Sequence, residues 1–234
     1  MKPLIVANWK MNPTSREEAK NLFNSIKEGI GSAKIEVVIC PPFVYLPLLS
    51  GLTLGAQNVF YKEGGAFTGG ISGAMLKDLR LEYVIVGHSE SRRYLKETDE
   101  IINQKIKEAL DSGLKIIFCI GETAEERDAD QKNEVLERQI KKGLENIENL
   151  ENINIAYEPV WAIGTGNNCS IEETKESIEF IRKLVRPDTR ILYGGSVKSE
   201  NSGEYIKDAG ANGLLVGGAS LNAEEFIKIV KSAE

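Results

Sequence analysis

A lone histidine, a glutamate set directly before a proline, and a lysine two residues beyond an asparagine could do chemistry together in this chain. His88 follows the apolar run VIVG and precedes Ser89-Glu90, where a strand should give way to a helix. The positive end of a helix disfavours imidazolium and keeps the ring neutral, and a neutral imidazole can donate a proton to a developing oxyanion. Glu158 stands in YEPVWAIGTG, residues 157–166. The proline cannot extend a helix, Val160 to Ile163 form an apolar flap, and Gly164 and Gly166 give that flap backbone freedom. A flap closing over ligand sheds water, and desolvation makes the glutamate a stronger base. Asn8 and Lys10 point the same way in extended chain, so Lys10 offers a fixed ammonium as an anion anchor. One base, one neutral acid and one cation suggest proton transfer beside a carbonyl.

Two glycine pairs extend the anion site. YGGSV (193–197) and LVGGAS (215–220) bring Ser196, Gly217 and Gly218 to consecutive strand ends. Backbone N–H groups at such places can cradle phosphate, because glycine lets the chain approach a ligand closely. With one histidine and three scattered cysteines, neither a protein-built metal site nor a disulfide framework is expected.

The elements that must position these residues are legible as apolar runs at 4–8, 35–40, 52–57, 83–88, 115–120, 153–158, 190–195 and 213–218. Most are too continuous for half-exposed strands and read as strands buried on both faces. Amphipathic stripes lie between them, as in 98–111 (Ile101, Ile102, Ile106, Ala109, Leu110) and 171–185 (Ile171, Ile178, Ile181, Leu184, Val185). Thr14, Thr123, Ser170 and Asn222 each stand three residues before a glutamate and mark helix starts, while Gly113 and Gly210 mark stops. Eight strand–helix units of about 29 residues fit a closed parallel (β/α)8 barrel, one domain over residues 1–234, with an open doubly wound sheet as the alternative. In a barrel, function gathers at the C-terminal strand ends. Those ends carry Asn8 and Lys10, Gln57-Asn58, His88, Gly121-Glu122, Glu158 and the glycine pairs.

Composition bounds the partners. The chain has 234 residues, 27% of them charged, and a net charge of −6, which argues against nucleic acid or an anionic membrane as its main partner. The N-terminal apolar run is too short for a signal peptide, and no run approaches the roughly 18 apolar residues of a membrane span. With the unpaired cysteines, this points to a cytoplasmic protein.

ANWKMN (7–12), GAFTGGIS (65–72), VGHSE (86–90), YEPVWAIGTG, YGGSV and LVGGASL (215–221) together resemble the triosephosphate isomerase family, in that family's order and over the whole chain. The resemblance implies a TIM barrel that interconverts dihydroxyacetone phosphate and D-glyceraldehyde 3-phosphate in glycolysis and gluconeogenesis. It implies no cofactor and no metal. Glu158 would carry a proton between C1 and C2 through an enediolate, a division of acid and base labour for which this family is a standard case. His88 would polarise the carbonyl, and Asn8 and Lys10 would assist at the oxyanion and bind substrate. Phosphate would rest on Gly164, Ser196, Gly217 and Gly218 under a lid at 159–169. Glu90 is similar to a family glutamate near Lys10. A homodimer would form through the loop around Phe67 and Thr68. Departures from the pattern are Asn167-Asn168-Cys169 at the lid's end, Gly70 and Gly73 in the dimer loop, and a serine between HSE and the arginines.

Two other readings fit parts of the pattern. A Schiff-base aldolase would want a lysine inside the barrel, and Lys115 falls at the start of a strand, on the wrong rim. A non-catalytic phosphate-binding or surface-interaction barrel would have no need of Glu158, His88 and a lid together.

Overall fold

The computed structural model describes every residue except 32 and 164–167. Eight strands form: β1 (Leu4–Asn8), β2 (Glu36–Cys40), β3 (Thr53–Ala56), β4 (Tyr83–Val86), β5 (Lys115–Ile120), β6 (Ile153–Tyr157), β7 (Ile191–Tyr193) and β8 (Gly213–Val216). Each pairs in parallel with the next, and β8 returns to β1 to close the barrel. The open-sheet alternative is thereby excluded.

Both faces of the strands are buried, as the apolar runs require. Leu4, Val6, Val38, Ile85 and Ile117 fill the barrel, while the alternating Ile5, Ala7, Val37, Val84 and Ile116 pack outward. The outer ring is α1 (Arg16–Ile30), α2 (Gly73–Asp78), α3 (Ser89–Tyr94), α4 (Asp99–Asp111), α5 (Ala124–Asp128), α6 (Lys132–Gly143), α7 (Ile171–Leu184), α8 (Ser202–Lys207) and α9 (Ala223–Ser232). Between β2 and β3 the chain makes a 3₁₀ helix, Phe43–Leu48, with Pro47 inside it, where the missing N–H limits an α-helix. Among the described residues no helix is long and apolar enough to cross a membrane.

The caps refine the expected helix starts. Ser15, not Thr14, caps α1, its hydroxyl accepting from the Glu18 N–H at 3.2 Å. Among the described residues only Thr123 with Glu126 makes the full reciprocal box. Ser170 and Asn222 cap α7 and α9 through the N–H groups of Glu173 and Glu225, but neither carboxylate closes the box on the cap's backbone: Glu173 accepts from Arg127 and the Ser170 hydroxyl, and Glu225 from Ser199. Gly113 and Gly210, at φ 76° and 77°, sit just past α4 and α8, in a conformation that glycine adopts without penalty. On α4 the stripe is less purely apolar than expected, because Asn103 and Lys105 are buried with it.

The strands also stop earlier than the apolar runs do. β4 ends at Val86 because Gly87 turns the chain at φ 75°, and β6 ends at Tyr157. His88 and Glu158 therefore lie just beyond the sheet, at its C-terminal rim. The opposite rim is closed by ionic groups: Glu36 accepts from the Tyr83 hydroxyl and, at 2.7 Å, from Arg190.

Candidate active site

His88 caps α3, and the Glu90 N–H donates to its Nδ1 at 3.2 Å. A nitrogen that accepts carries no proton, so this bond fits a ring protonated on Nε2. Nε2 faces Glu158 Oε1 at 3.0 Å, and the Ser89 N–H donates to Glu158 Oε2, also at 3.0 Å. Burial alone would lower the imidazole pKa, but the facing carboxylate outweighs it and the net direction is upward. Burial likewise would raise Glu158, yet His88 and the Ser89 N–H hold it below its ordinary value. The carboxylate and the imidazole thus rest on each other.

Lys10 has φ 55°, an uncommon backbone for a side chain of its kind. Two ties hold it there: the Lys10 N–H donates to Asn8 Oδ1 at 3.0 Å, and Gln57 Nε2 donates to the Lys10 carbonyl at 2.8 Å. Gln57 Nε2 also reaches the Cys40 carbonyl, so one amide pins β1's exit to β2's. The ammonium lies 2.6 Å from Glu90 Oε1. Glu90 is thereby placed on Lys10, as the family resemblance implies.

A cavity of about 460 Å³ opens between these groups. Asn8, Lys10, His88, Glu158, Ser196, Gly217 and Gly218 all line it. Of the expected site residues, only Gly164 lies outside the described residues. Gly217 allows close approach: a methyl group there would stand 3.2 Å from Lys10 Cε. Two more glycines leave room for Glu158. A methyl at Gly121 would lie 1.7 Å from the Glu158 carbonyl oxygen, and one at Gly194 would lie 2.9 Å from Glu158 Cγ.

The expected lid begins with Pro159 and a 3₁₀ helix, Val160–Ala162, while its centre, 164–167, lies outside the described residues. Trp161 Nε1 and the Tyr157 hydroxyl both donate to Glu122 Oε1, at 2.8 and 3.2 Å. Burial raises the Glu122 pKa despite these bonds. Ser196 Oγ donates to the Ala162 carbonyl at 2.7 Å, joining the rim after β7 to the lid's first turn. At the lid's far end Cys169 is buried, and its carbonyl accepts from the Tyr205 hydroxyl at 2.7 Å.

The residues that sequence reasoning left without a role are Gln57, Ser89 and Glu122. Gln57 and Glu122 had a signal, being polar groups at strand ends. The Ser89 contact is made by backbone and has none. Arg92 turns inward to the carbonyls of Gly87 and Cys119 and to Asp99, leaving Arg93 as the exposed arginine beside Tyr94. Phe67, in the loop expected to form the dimer, is 41% exposed and packs its ring against Phe60.

The sequence matches one family over its length. A family model described as Triosephosphate isomerase matches residues 3–233. The triosephosphate isomerase of Carboxydothermus hydrogenoformans is 47% identical over 99% of this chain and 99% of its own. Those of Alkaliphilus oremlandii and Aquifex aeolicus are each 46% identical, over 98% and 99% of this chain and 98% and 100% of theirs. The chain belongs to the triosephosphate isomerase family.

Proposed function

We propose that this chain is a triose-phosphate isomerase, interconverting dihydroxyacetone phosphate and D-glyceraldehyde 3-phosphate by proton transfer through an enediolate, as a step of glycolysis and gluconeogenesis. The observation that carries the reading is the 3.0 Å pairing of His88 Nε2 with Glu158 at the wall of a glycine-lined cavity. Substrate entering that cavity separates the pair. Freed from His88 and buried, Glu158 loses what held its pKa low and becomes a stronger base, able to take a proton from carbon and return it to the neighbouring carbon. Freed from the carboxylate, His88 loses what held its pKa up. Burial then keeps the ring neutral, with Nε2–H to donate to the carbonyl oxygen. The Lys10 ammonium and the Asn8 amide add positive potential where the enediolate oxygen gathers charge.

Phosphate is assigned to backbone and hydroxyl groups at Gly164, Ser196, Gly217 and Gly218. The lid over 159–169 excludes water and keeps the enediolate from expelling its phosphate. No cofactor or metal enters this chemistry. We read residues 1–234 as one domain acting in the cytoplasm, where its three free, buried cysteines stay reduced. We assign a homodimer formed through the loop around Phe67 and Thr68, supported by the exposed Phe67 ring and by Met11, which is 90% exposed. Phe67→Asp tests that assignment by sedimentation: it predicts monomers, and an unchanged dimer refutes it. The activity is tested by coupling glyceraldehyde 3-phosphate isomerisation to NADH oxidation. Turnover by the folded chain is expected, and a folded, inactive chain overturns the reading.

A further inference from the structure

Resting on the phosphate assignment above, we infer that Glu225 is a positioning residue that sets the spacing between the two halves of the phosphate cradle. Those halves come from different units: Ser196 follows β7, and Gly217-Gly218 follow β8. Among the described residues β7 and β8 are paired only at Tyr193 with Leu214, at the last residue of β7, so no strand pairing sets the spacing of the loops beyond it.

Glu225 supplies what the sheet lacks. Its N–H is taken up by the Asn222 cap at 3.0 Å, in the third position of α9. In a reciprocal capping box its carboxylate would fold back onto the cap. Instead it crosses to the neighbouring loop, where Oε1 accepts the Ser199 N–H at 2.7 Å and Oε2 accepts the Ser199 hydroxyl at 3.0 Å. Further hydrogen bonds tie that loop to the rim. The Lys198 N–H donates to Asn201 Oδ1 at 2.8 Å, and Asn201 Nδ2 reaches the Ser196 carbonyl. The connection therefore runs from α9 to Ser199 by hydrogen bonds, along the backbone to Lys198, and from Lys198 through the Asn201 side chain to Ser196. Glu225, Lys198 and Ser196 line the same cavity as Gly217 and Gly218. A carboxylate beside a phosphate site would repel the dianion, and engaging both of its oxygens with Ser199 gives it a different task.

The test is Glu225→Ala beside Glu225→Gln, assayed with glyceraldehyde 3-phosphate and with D-glyceraldehyde, which has no phosphate. The alanine variant should lose at least about tenfold in kcat/KM on the phosphorylated substrate, mostly in KM, equivalent to about 1.4 kcal/mol. Its affinity for inorganic phosphate, measured by calorimetry, should fall by a like factor. Turnover of D-glyceraldehyde should change by less than about twofold. Glutamine retains an acceptor for the Ser199 N–H and a group that can pair with the hydroxyl, so it should restore most of the loss. Ser199→Ala, which removes one of the two bonds, should fall between, and it serves if Glu225→Ala does not fold. Equal losses on both substrates, no loss on either, or a glutamine variant as damaged as alanine would overturn the assignment. A wild type that binds phosphate without isomerising triose phosphate would instead overturn the functional reading, and phosphate titration of the variants would still decide the role of Glu225.

Discussion

Shortening the proposed base by one methylene, Glu158→Asp, is the perturbation whose consequence follows most directly from the geometry. The carboxylate retracts by about one C–C bond, roughly 1.5 Å. Both of its contacts are at 3.0 Å, so each opens beyond hydrogen-bonding range. The backbone cannot advance to compensate. The Glu158 N–H is held by the Ile120 carbonyl at 2.7 Å, and its carbonyl oxygen lies where Gly121 has room for no side chain. Misplacement of about 1 Å costs on the order of 10²-fold in rate. We therefore expect kcat to fall at least about 100-fold, some 2.7 kcal/mol of barrier, with KM little changed because the phosphate contacts are untouched. The coupled NADH assay reads both constants, and a thermal melt shows that the variant is folded. A folded variant within about threefold of wild-type kcat would refute the placement of the base.

Three further outcomes follow from single contacts. Gly194→Ala puts a methyl 2.9 Å from Glu158 Cγ, so we expect a folded protein with kcat reduced by about tenfold or more in the same assay. Gln57→Ala frees a Lys10 backbone held at φ 55°, and kcat/KM should fall by about tenfold as the ammonium loses its fixed position. On the opposite rim, burial alone would raise Glu36, but the bonds from Tyr83 and Arg190 more than reverse it, so its folded pKa is lowered. A lowered carboxylate pKa gives stability that is present above the unfolded value of about 4.5 and is lost as pH falls through the folded value. Glu36→Gln should therefore be less stable than wild type at neutral pH and show a shallower loss of Tm on acidification below pH 4.5.

Much of the barrel could be read in advance because two-sided burial leaves a local trace. Runs such as LIVAN and KIIFCI need no partner in view to be recognised as strands of a covered parallel sheet. The candidate site could be read because polar and glycine residues gather where most of these runs end, at the barrel's C-terminal rim. What escaped was long-range. Lys105 looks like the solvated side of α4, yet it is buried, bonded to Glu97 and Asn58 across the rim side of the fold. Glu122 carries no local sign that Trp161 and Tyr157 will close on it. Glu225 reads as half of a capping box, and only the neighbouring loop reveals where its carboxylate goes. The cap of α1 was displaced by one residue because Thr14 and Ser15 are both able to cap, and local sequence does not choose between them.

The central claim is that Glu158 moves a carbon-bound proton through an enediolate. Isomerisation of D-glyceraldehyde 3-phosphate in D2O, followed by ¹H NMR, tests it most directly. The account predicts rapid formation of dihydroxyacetone phosphate carrying solvent deuterium at C1, because a proton held on a carboxylate exchanges with solvent before it is returned. Folded protein giving no product above the blank, or product wholly free of deuterium, would contradict it.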